Sequence, residues 1–322
     1  MLAKTPDVVV RSQGIINILP HAERIWDIYE HQGEAGRGVY GSVIKVKLRA
    51  STAKEPVVFA MKRTYRDEAI AGIPPTAIRE ISLLQDLRHP NVIRIERVFI
   101  APESILVVME YADTDLQRYM EKIGGPLEPC EIKTLTRQML EGINYCHMNR
   151  TYHRDLKPAN ILLQRCDGKH VLKIADFGLS RQFSYPLSQK HTPCVVTMLY
   201  RAPEVFLGAA EQQTYALDMW SVGCIFAEMF KGKPIFEGET SEFGIILNIF
   251  LQTVGASPDI RNLGEKGQQI WTALDKKRTK PHPLSDLEDV PPGAIDLMMK
   301  MLALNPQKRI TAHGALQHPF LL

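Results

Sequence analysis

The sequence predicts an α+β chain in two lobes, a small β-rich N-terminal lobe with one main helix and a larger, mostly helical C-terminal lobe. Three observations predict it. The first third carries short runs rich in β-branched residues, interrupted by one apolar stripe of helical spacing. From about Asp113 onward apolar residues recur three and four apart, as in helices with one buried side. At 322 residues the chain is also longer than one ordinary core supports. The composition shift near residues 110–114 divides it into a first lobe, ending at 112, and a second lobe (113–322).

The elements follow in order. "SVIKVKL" (42–48), "PVVFAMKR" (56–63), "VIRIERVFIA" (92–101) and "SILVVMEYA" (104–112) predict strands. "PPTAIREISLLQDL" (74–87) opens on prolines and spaces Ile78, Ile81, Leu84 and Leu87 as a helix does. It reads as a helix set into the sheet, with Ile78 and Ile81 pressing it onto the strands. Beyond the boundary, "PCEIKTLTRQMLEGINYCH" (129–147) lines up Ile132, Leu135, Met139, Leu140 and Ile143 on one side. "LDMWSVGCIFAEMFKG" (217–232) is apolar almost all round and predicts a buried helix. "VLKIA" (171–175) reads as a strand, and "AIDLMMKML" (294–302) and "TAHGALQH" (311–318) as helices.

Bulk properties exclude several classes. Apolar residues make up 45% and charged residues 23%, which is ordinary globular composition. A net charge of +3 provides no broad field for nucleic acid, so no direct nucleic-acid partner is expected. The basic cluster Lys276-Lys277-Arg278-Thr279-Lys280 reads better as a solvated loop than as a nuclear address. Cys130, Cys146, Cys166, Cys194 and Cys224 are odd in number, scattered, and without metal-ligand spacing. They argue against a disulfide framework or zinc site and for a reduced compartment, nucleus or cytosol. The first residues lack the unbroken apolar core of a signal peptide. Glu228 breaks "SVGCIFAEMF", and Asn248 and Gln252 break "GIILNIFLQTVG", so no membrane span is expected.

Four motifs carry chemistry. In "AGRGVYGSV", Gly36, Gly38, Gly41 and Val43 stand in a G-x-G-x-x-G-x-V pattern around Arg37, Val39 and Tyr40. Glycines let backbone N–H groups approach phosphates closely. A dinucleotide fingerprint would run from these glycines into a helix, whereas strand-like "SVIKVKL" follows here. The loop therefore reads as a β-hairpin lid. Lys62 lies in an apolar strand, where an ammonium needs a partner, and Glu80 on the inserted helix is the natural counter-ion.

In "TYHRDLKPANILL" (151–163), Pro158 disfavours helix at Lys157, so Asp155, Lys157 and Asn160 gather on a loop. His153-Arg154-Asp155-Leu156 with Asn160 is an H-R-D-L-x-x-x-N pattern. Five fixed residues arise by chance roughly once in three million positions, which makes this signal specific. Asp176-Phe177-Gly178 and Ala202-Pro203-Glu204 follow in order.

Together these motifs resemble the eukaryotic protein kinases, over about residues 28–322, which implies an N-terminal extension (1–27) ahead of a first lobe (28–112) and a second lobe (113–322). "PPTAIRE" resembles the cyclin-binding helix of cyclin-dependent kinases, with Pro75 where serine is usual. "VVTMLYRAPE" resembles their substrate-docking segment, with Leu199 in place of tryptophan. The resemblance implies the two-lobed kinase fold and transfer of the ATP γ-phosphate to Ser or Thr, with residues from Lys62 to Asp176 converging on ATP and Mg²⁺. It implies that Asp155 orients the substrate hydroxyl, that Lys157 neutralises the moving phosphoryl group, and that Thr197 bonds near both. Asn160 and Asp176 would hold Mg²⁺, and Lys62, held by Glu80, would grip the α- and β-phosphates. Met109 matches the gatekeeper. Backbone groups of Glu110 and Ala112 would meet adenine, Asp115 the ribose, and Ala60 and Leu163 the two faces of the ring.

The resemblance also implies regulation. Arg79, Arg154 and Arg181 match a cluster that captures an activation-loop phosphothreonine, here Thr192. Tyr40 matches an inhibitory phosphotyrosine, next to Val39 where a threonine is usual. Val196 and Arg201 match residues that shape a pocket for proline after the target residue. A cyclin would dock on the "PPTAIRE" helix and bias its position, leaving the isolated chain weakly active. Glu204 and Arg309 are expected to form a buried structural ion pair, and Asp218 to cap the catalytic loop.

"HRDLKPANIL", "FSYPL" and the N-terminal extension are similar to the transcription-linked, Mediator-type branch. The "DFG" and "PPTAIRE" spellings and Thr192 resemble the cell-cycle branch; of the two, the transcription-linked branch is the one expected. A mitogen-activated kinase is the nearest enzyme alternative, but it would carry a Thr-x-Tyr pair that "QKHTPCVVT" lacks. A kinase-like scaffold without turnover would usually have lost Lys62, Asp155 or Asp176.

Overall fold

A computed structural model describes residues 16–19, 21–38, 41–49, 57–65, 75–182, 198–207, 214–236, 244–246, 248–249, 267–269, 272 and 289–322. The chain divides into two compact units, Met1–Asp113 and Thr114–Leu322.

The first unit is a six-stranded sheet built from β1 (Ile16–Ile18), β2 (Tyr29–Gly38), β3 (Gly41–Leu48), β4 (Val58–Tyr65), β5 (Ile95–Ile100) and β6 (Ser104–Glu110). The order across the sheet is β1-β5-β6-β4-β3-β2. β1 runs parallel to β5, and the other pairs are antiparallel. Among the described residues this unit has two α-helices, the single turn α1 (Ile25–Ile28) and α2 (Pro75–Asp86).

Register sorts the side chains between the two faces. Val43 opposes Lys62, which opposes Val107; Lys45 opposes Ala60, which opposes Met109. Opposed residues project from one face, so these six share it. The alternate residues Val46, Met61, Leu106 and Val108 project from the other face and join a core with Leu19, Ala22, Ile25 and Tyr29. The stretch expected only as an extension thus supplies a strand and one side of a core. The Leu19 N–H donates to the Ile100 carbonyl at 2.9 Å, and the Ala22 N–H to Glu103 Oε1 at 2.6 Å. Three strand residues and one helical turn are too short for periodicity to reveal.

α2 corrects one expectation. It buries Ala77, Glu80, Ile81, Leu83 and Leu84, while Ile78 is 53% exposed. At 100° per residue Ile78 stands about 120° from Leu84 around the helix, off the buried stripe. Glu80 lies on that buried stripe, where its carboxylate meets Lys62 of the sheet.

The second unit contains β7 (Thr114–Asp115), α3 (Leu116–Ile123), α4 (Pro129–Met148), β8 (Thr151–Tyr152), β9 (Ile161–Cys166), β10 (Lys169–Ile174), β11 (Arg181–Gln182), α5 (Pro203–Phe206), α6 (Ala216–Lys231), α7 (Pro292–Met301) and α8 (Ala312–Leu316). β10-β9-β7 and β11-β8 form two small sheets. The five apolar residues expected on one side of α4 are all buried, as is every residue of α6 from Leu217 to Phe230. α6 ends at Gly232, whose φ of +73° suits glycine. A Cβ there would meet the Gly125 carbonyl carbon at 2.7 Å, so this crossing admits glycine alone. No helix among the described residues is long and apolar enough to cross a membrane.

Candidate active site

The first unit contributes a buried ion pair. Lys62 on β4 donates to both carboxylate oxygens of Glu80 on α2, at 2.8 and 3.1 Å. Glu80 is buried and Lys62 partly so, which leaves the ammonium some access to a ligand. Ala60 and Met109 lie on the same face and are buried. The Glu110 N–H is already donated to the Arg94 carbonyl at 3.1 Å, which narrows its expected role toward adenine to its carbonyl. Gly36, Gly38 and Gly41 belong to the β2–β3 hairpin, where Gly38 pairs with Gly41 and Gly36 with Val43. Val39 and Tyr40 lie outside the described residues, and of Arg37 only the strand position is described.

In the second unit α4 runs into β8 and then the loop of residues 153–157. Pro158 opens a short 3-10 turn, Pro158–Asn160, that leads into β9. The turn folds the loop back, with the Asn160 N–H donating to the Lys157 carbonyl at 2.9 Å. Two donors then meet at one buried carboxylate. Asp155 Oδ2 accepts from Lys157 Nζ at 3.0 Å and from Asn160 Nδ2 at 3.2 Å. Asn160 Nδ2 also donates to the Asp155 carbonyl at 2.8 Å, which directs the amide oxygen away from Asp155. The Ala175 N–H donates to the Asn160 carbonyl at 3.0 Å and brings Asp176 beside Asn160 in the chain path. Asp176 is exposed, with a φ of +66°. Next to it Phe177 is fully buried, its ring 4.7 Å from that of His153.

Asp218, at the start of α6, holds this loop. Its Oδ2 accepts from the His153 N–H at 2.8 Å and lies 2.9 Å from His147 Nε2, and its Oδ1 accepts from the Arg154 N–H at 2.8 Å. Those bonds hold Arg154 at a φ of +72°, a conformation that is costly for any residue but glycine. Burial opposes the Asp218 charge. The bond and charge of His147, the charge of His153 and the Arg154 N–H outweigh it and hold the carboxyl below the ordinary aspartate range. A carboxyl depressed in the folded state stabilises fully above the unfolded value near pH 4, and that stabilisation fades as pH falls through the folded value. Asp218→Asn is expected to cost about 2–3 kcal/mol at neutral pH, because an NH₂ would face a backbone donor. Urea unfolding from pH 7 to 3 checks both points: the variant should start lower and lose less on the acid side.

Other expected residues take separate positions. Asp115 caps α3 by accepting the Arg118 N–H at 2.9 Å. Leu163 is buried on β9 opposite Thr114. Arg201 lies over the Phe206 ring at 5.4 Å. Arg79 and Arg154 are partly buried, and the Arg181 side chain, Thr192, Val196 and Thr197 lie outside the described residues. Glu204 and Arg309 pair at 2.7 and 3.0 Å with both side chains fully buried.

Sequence reasoning missed His147, Tyr200 and Glu228. The Tyr200 hydroxyl donates to Glu228 Oε2 at 2.7 Å, and Ser221 Oγ donates to the Tyr200 carbonyl at 2.8 Å, tying the segment before α5 to α6. Burial and the Glu228 charge push the Tyr200 hydroxyl's pKa up, so it stays a donor. No spacing rule links residues 28 positions apart, so the sequence carries no local signal for them.

A sheet-rich unit with a lysine–glutamate pair, and a helical unit presenting Asp155, Lys157 and Asn160 on one loop, define a protein kinase. The family model described as protein kinase domain matches residues 29–321. The chain belongs to that family, in its cyclin-dependent branch, and is a serine/threonine protein kinase. It is similar to cell division control protein 2 homolog 3 of Trypanosoma brucei brucei, at 40% identity over 297 residues and 92% of each chain.

Proposed function

We propose that this kinase transfers the γ-phosphate of ATP to serine or threonine followed by proline in protein substrates, under control of a cyclin. The observation that carries the reading is the Asp155 carboxylate, buried and held by Lys157 and Asn160. Phosphoryl transfer requires positioning and charge neutralisation more than covalent chemistry. Asp155 would orient the incoming hydroxyl and take its proton. Lys157, on the same carboxylate oxygen, would meet charge on the transferring group. Lys62, aligned by Glu80, would bind the α- and β-phosphates, the Glu110 carbonyl and Ala112 would meet adenine, and Asp115 the ribose.

The donor set fits Mg²⁺. The Asn160 amide oxygen and the exposed Asp176 carboxylate are hard oxygen ligands. Among the described residues no three His, Cys, Asp or Glu side chains gather to hold an ion. That suits a cation bound through few protein ligands and the nucleotide's phosphates. When bound, it would neutralise phosphate charge.

The exposed Ile78 on α2 supports the cyclin, since a large apolar side chain turned to solvent on the helix that carries Glu80 offers a partner a grip. The Lys62–Glu80 pair is closed at 2.8 Å, and the partner would hold α2 in that arrangement. Phosphorylation of Thr192, read by Arg79, Arg154 and Arg181, would add a second control, and Val196 and Arg201 would select the proline. The name of the Trypanosoma relative, a cell division control protein, favours a cell-cycle role over a transcriptional one. The scattered cysteines suit a reduced compartment, and the nucleus, with the cytoplasm, is the one proposed.

One assay tests the reading. The purified chain is given ATP, Mg²⁺ and a peptide array, with and without a co-expressed cyclin, and Lys62→Met serves as control. Transfer to Ser/Thr-Pro peptides that rises with the cyclin and vanishes in the control is expected. Transfer without proline preference would remove the substrate claim, and full turnover without a cyclin would remove the partner claim.

A further inference from the structure

Lys45 and Tyr111 have no role so far. Lys45 sits on β3 opposite Ala60, and Ala60 sits on β4 opposite Met109 of β6. Lys45 therefore shares the face that carries Ala60, Lys62 and Met109. Tyr111 follows β6, between Glu110 and Ala112, in the segment assigned above to adenine. Lys45 Nζ lies 4.4 Å from the centre of the Tyr111 ring, a cation–π contact.

The geometry of the reach is informative. β4 separates β3 from β6, so the contact spans two strand spacings, about 10 Å in all. A lysine stem can cross because the residue opposite it on β4 is Ala60, with only a methyl group. The β2–β3 hairpin lies at one end of the sheet, joined to the rest by the β3–β4 ladder and, on the opposite face, by Tyr29 and Val46 in the core. On the face that carries Ala60, the lysine–tyrosine contact adds a tether across β4 to the chain that follows β6.

We infer that Lys45 and Tyr111 form a positioning latch for a purine nucleoside triphosphate. The latch fixes the glycine-bearing hairpin relative to the adenine-meeting segment and sets the width of the lane beside Ala60. The inference rests on the ATP reading above. With the hairpin tethered, less ordering remains for the nucleotide to impose, so the latch acts on nucleotide affinity. It touches none of the groups on Asp155, so it leaves the transfer step alone.

The test is a double-mutant cycle on the full chain, read by direct titration with ATP and Mg²⁺ and by KM against kcat. Lys45→Met keeps the stem and removes the charge, and Tyr111→Leu removes the ring. Each is expected to raise the ATP Kd and KM about threefold, the size a partly exposed cation–π contact supports. The double variant should be no worse than either single one, and Tyr111→Phe, which keeps the ring face, should match the wild type. Additive losses, an unchanged Kd in both single variants, or a loss confined to kcat would overturn the latch. Failure of the wild-type chain to bind ATP would instead overturn the nucleotide reading and the latch with it. Thermal unfolding of each variant identifies any that fail to fold, and the Tyr111→Phe comparison then decides alone.

Discussion

Asp155→Asn is expected to lower kcat by about 10²–10⁴-fold, the usual weight of a positioned general base. The substitution is nearly isosteric. Asn still offers one oxygen to Lys157 and Asn160, which now meet at Asp155 Oδ2. The backbone bonds of His153 and Arg154 to Asp218 do not involve the Asp155 side chain, so the loop should keep its path. What is lost is a carboxylate able to orient a hydroxyl and accept its proton. Steady-state kinetics with a peptide substrate, alongside nucleotide titration and thermal unfolding, separates these effects. Turnover within about tenfold of the wild type would remove Asp155 from the chemistry.

The largest stability effect is expected at Glu204. Both members of the Glu204–Arg309 pair are fully buried, and the fork is bidentate, at 2.7 and 3.0 Å. Arg309 also donates to the carbonyls of Ala303 at 2.9 Å and Ala216 at 2.6 Å, and it lies over the Trp220 ring at 5.2 Å. Glu204→Ala would strand this cation in a dry site without its counter-charge. Breaking such a pair costs about 3–5 kcal/mol. In a unit of this size that lowers the thermal midpoint by on the order of 10 °C. Replacing both partners by apolar residues, Glu204→Leu with Arg309→Met, should do less harm than the single change. A single variant that unfolds within about 1 kcal/mol of the wild type would show that Arg309 is satisfied by its carbonyls alone.

The regular parts of the fold were legible where one periodic signal was long enough. α4 repeats its buried positions over five turns, and α6 is apolar along its whole length, so neighbouring structure could add little to either reading. Short elements were not legible. α3 turns only Leu116 and Met120 inward, and two points do not make a period. Leu19, just after β1, and Ile25 of α1 matter because of what they cover, and the identity of the covered face lies far downstream in Met61, Phe99, Leu106 and Val108.

Within the candidate site, residues close in sequence were readable as a group. Asp155, Lys157 and Asn160 had to share a loop because Pro158 blocks a helix there. The posts that hold the loop were readable only in part. Asp218 could be named, but His147, which completes its bonding, could not, because α4 and α6 are brought together by packing and not by spacing. The outward turn of Ile78 belongs to the same class. Its apolar character predicted an inward residue, but the helix turns Ala77, Glu80, Ile81, Leu83 and Leu84 inward, which leaves Ile78 on the solvent side.

By itself the sequence determined the two-lobed α+β architecture, the long helices, and the order of motifs that marks a protein kinase, because each depends on residues within one element or loop. Only the tertiary structure decided that Leu19, Ala22 and Ile25 cover the sheet face bearing Met61, Leu106 and Val108, that Ile78 faces solvent, and that Lys45 reaches Tyr111 across β4. The physical reason is that local periodicity specifies which residues want burial, whereas partner and face depend on contacts between segments whose separation in the chain encodes nothing.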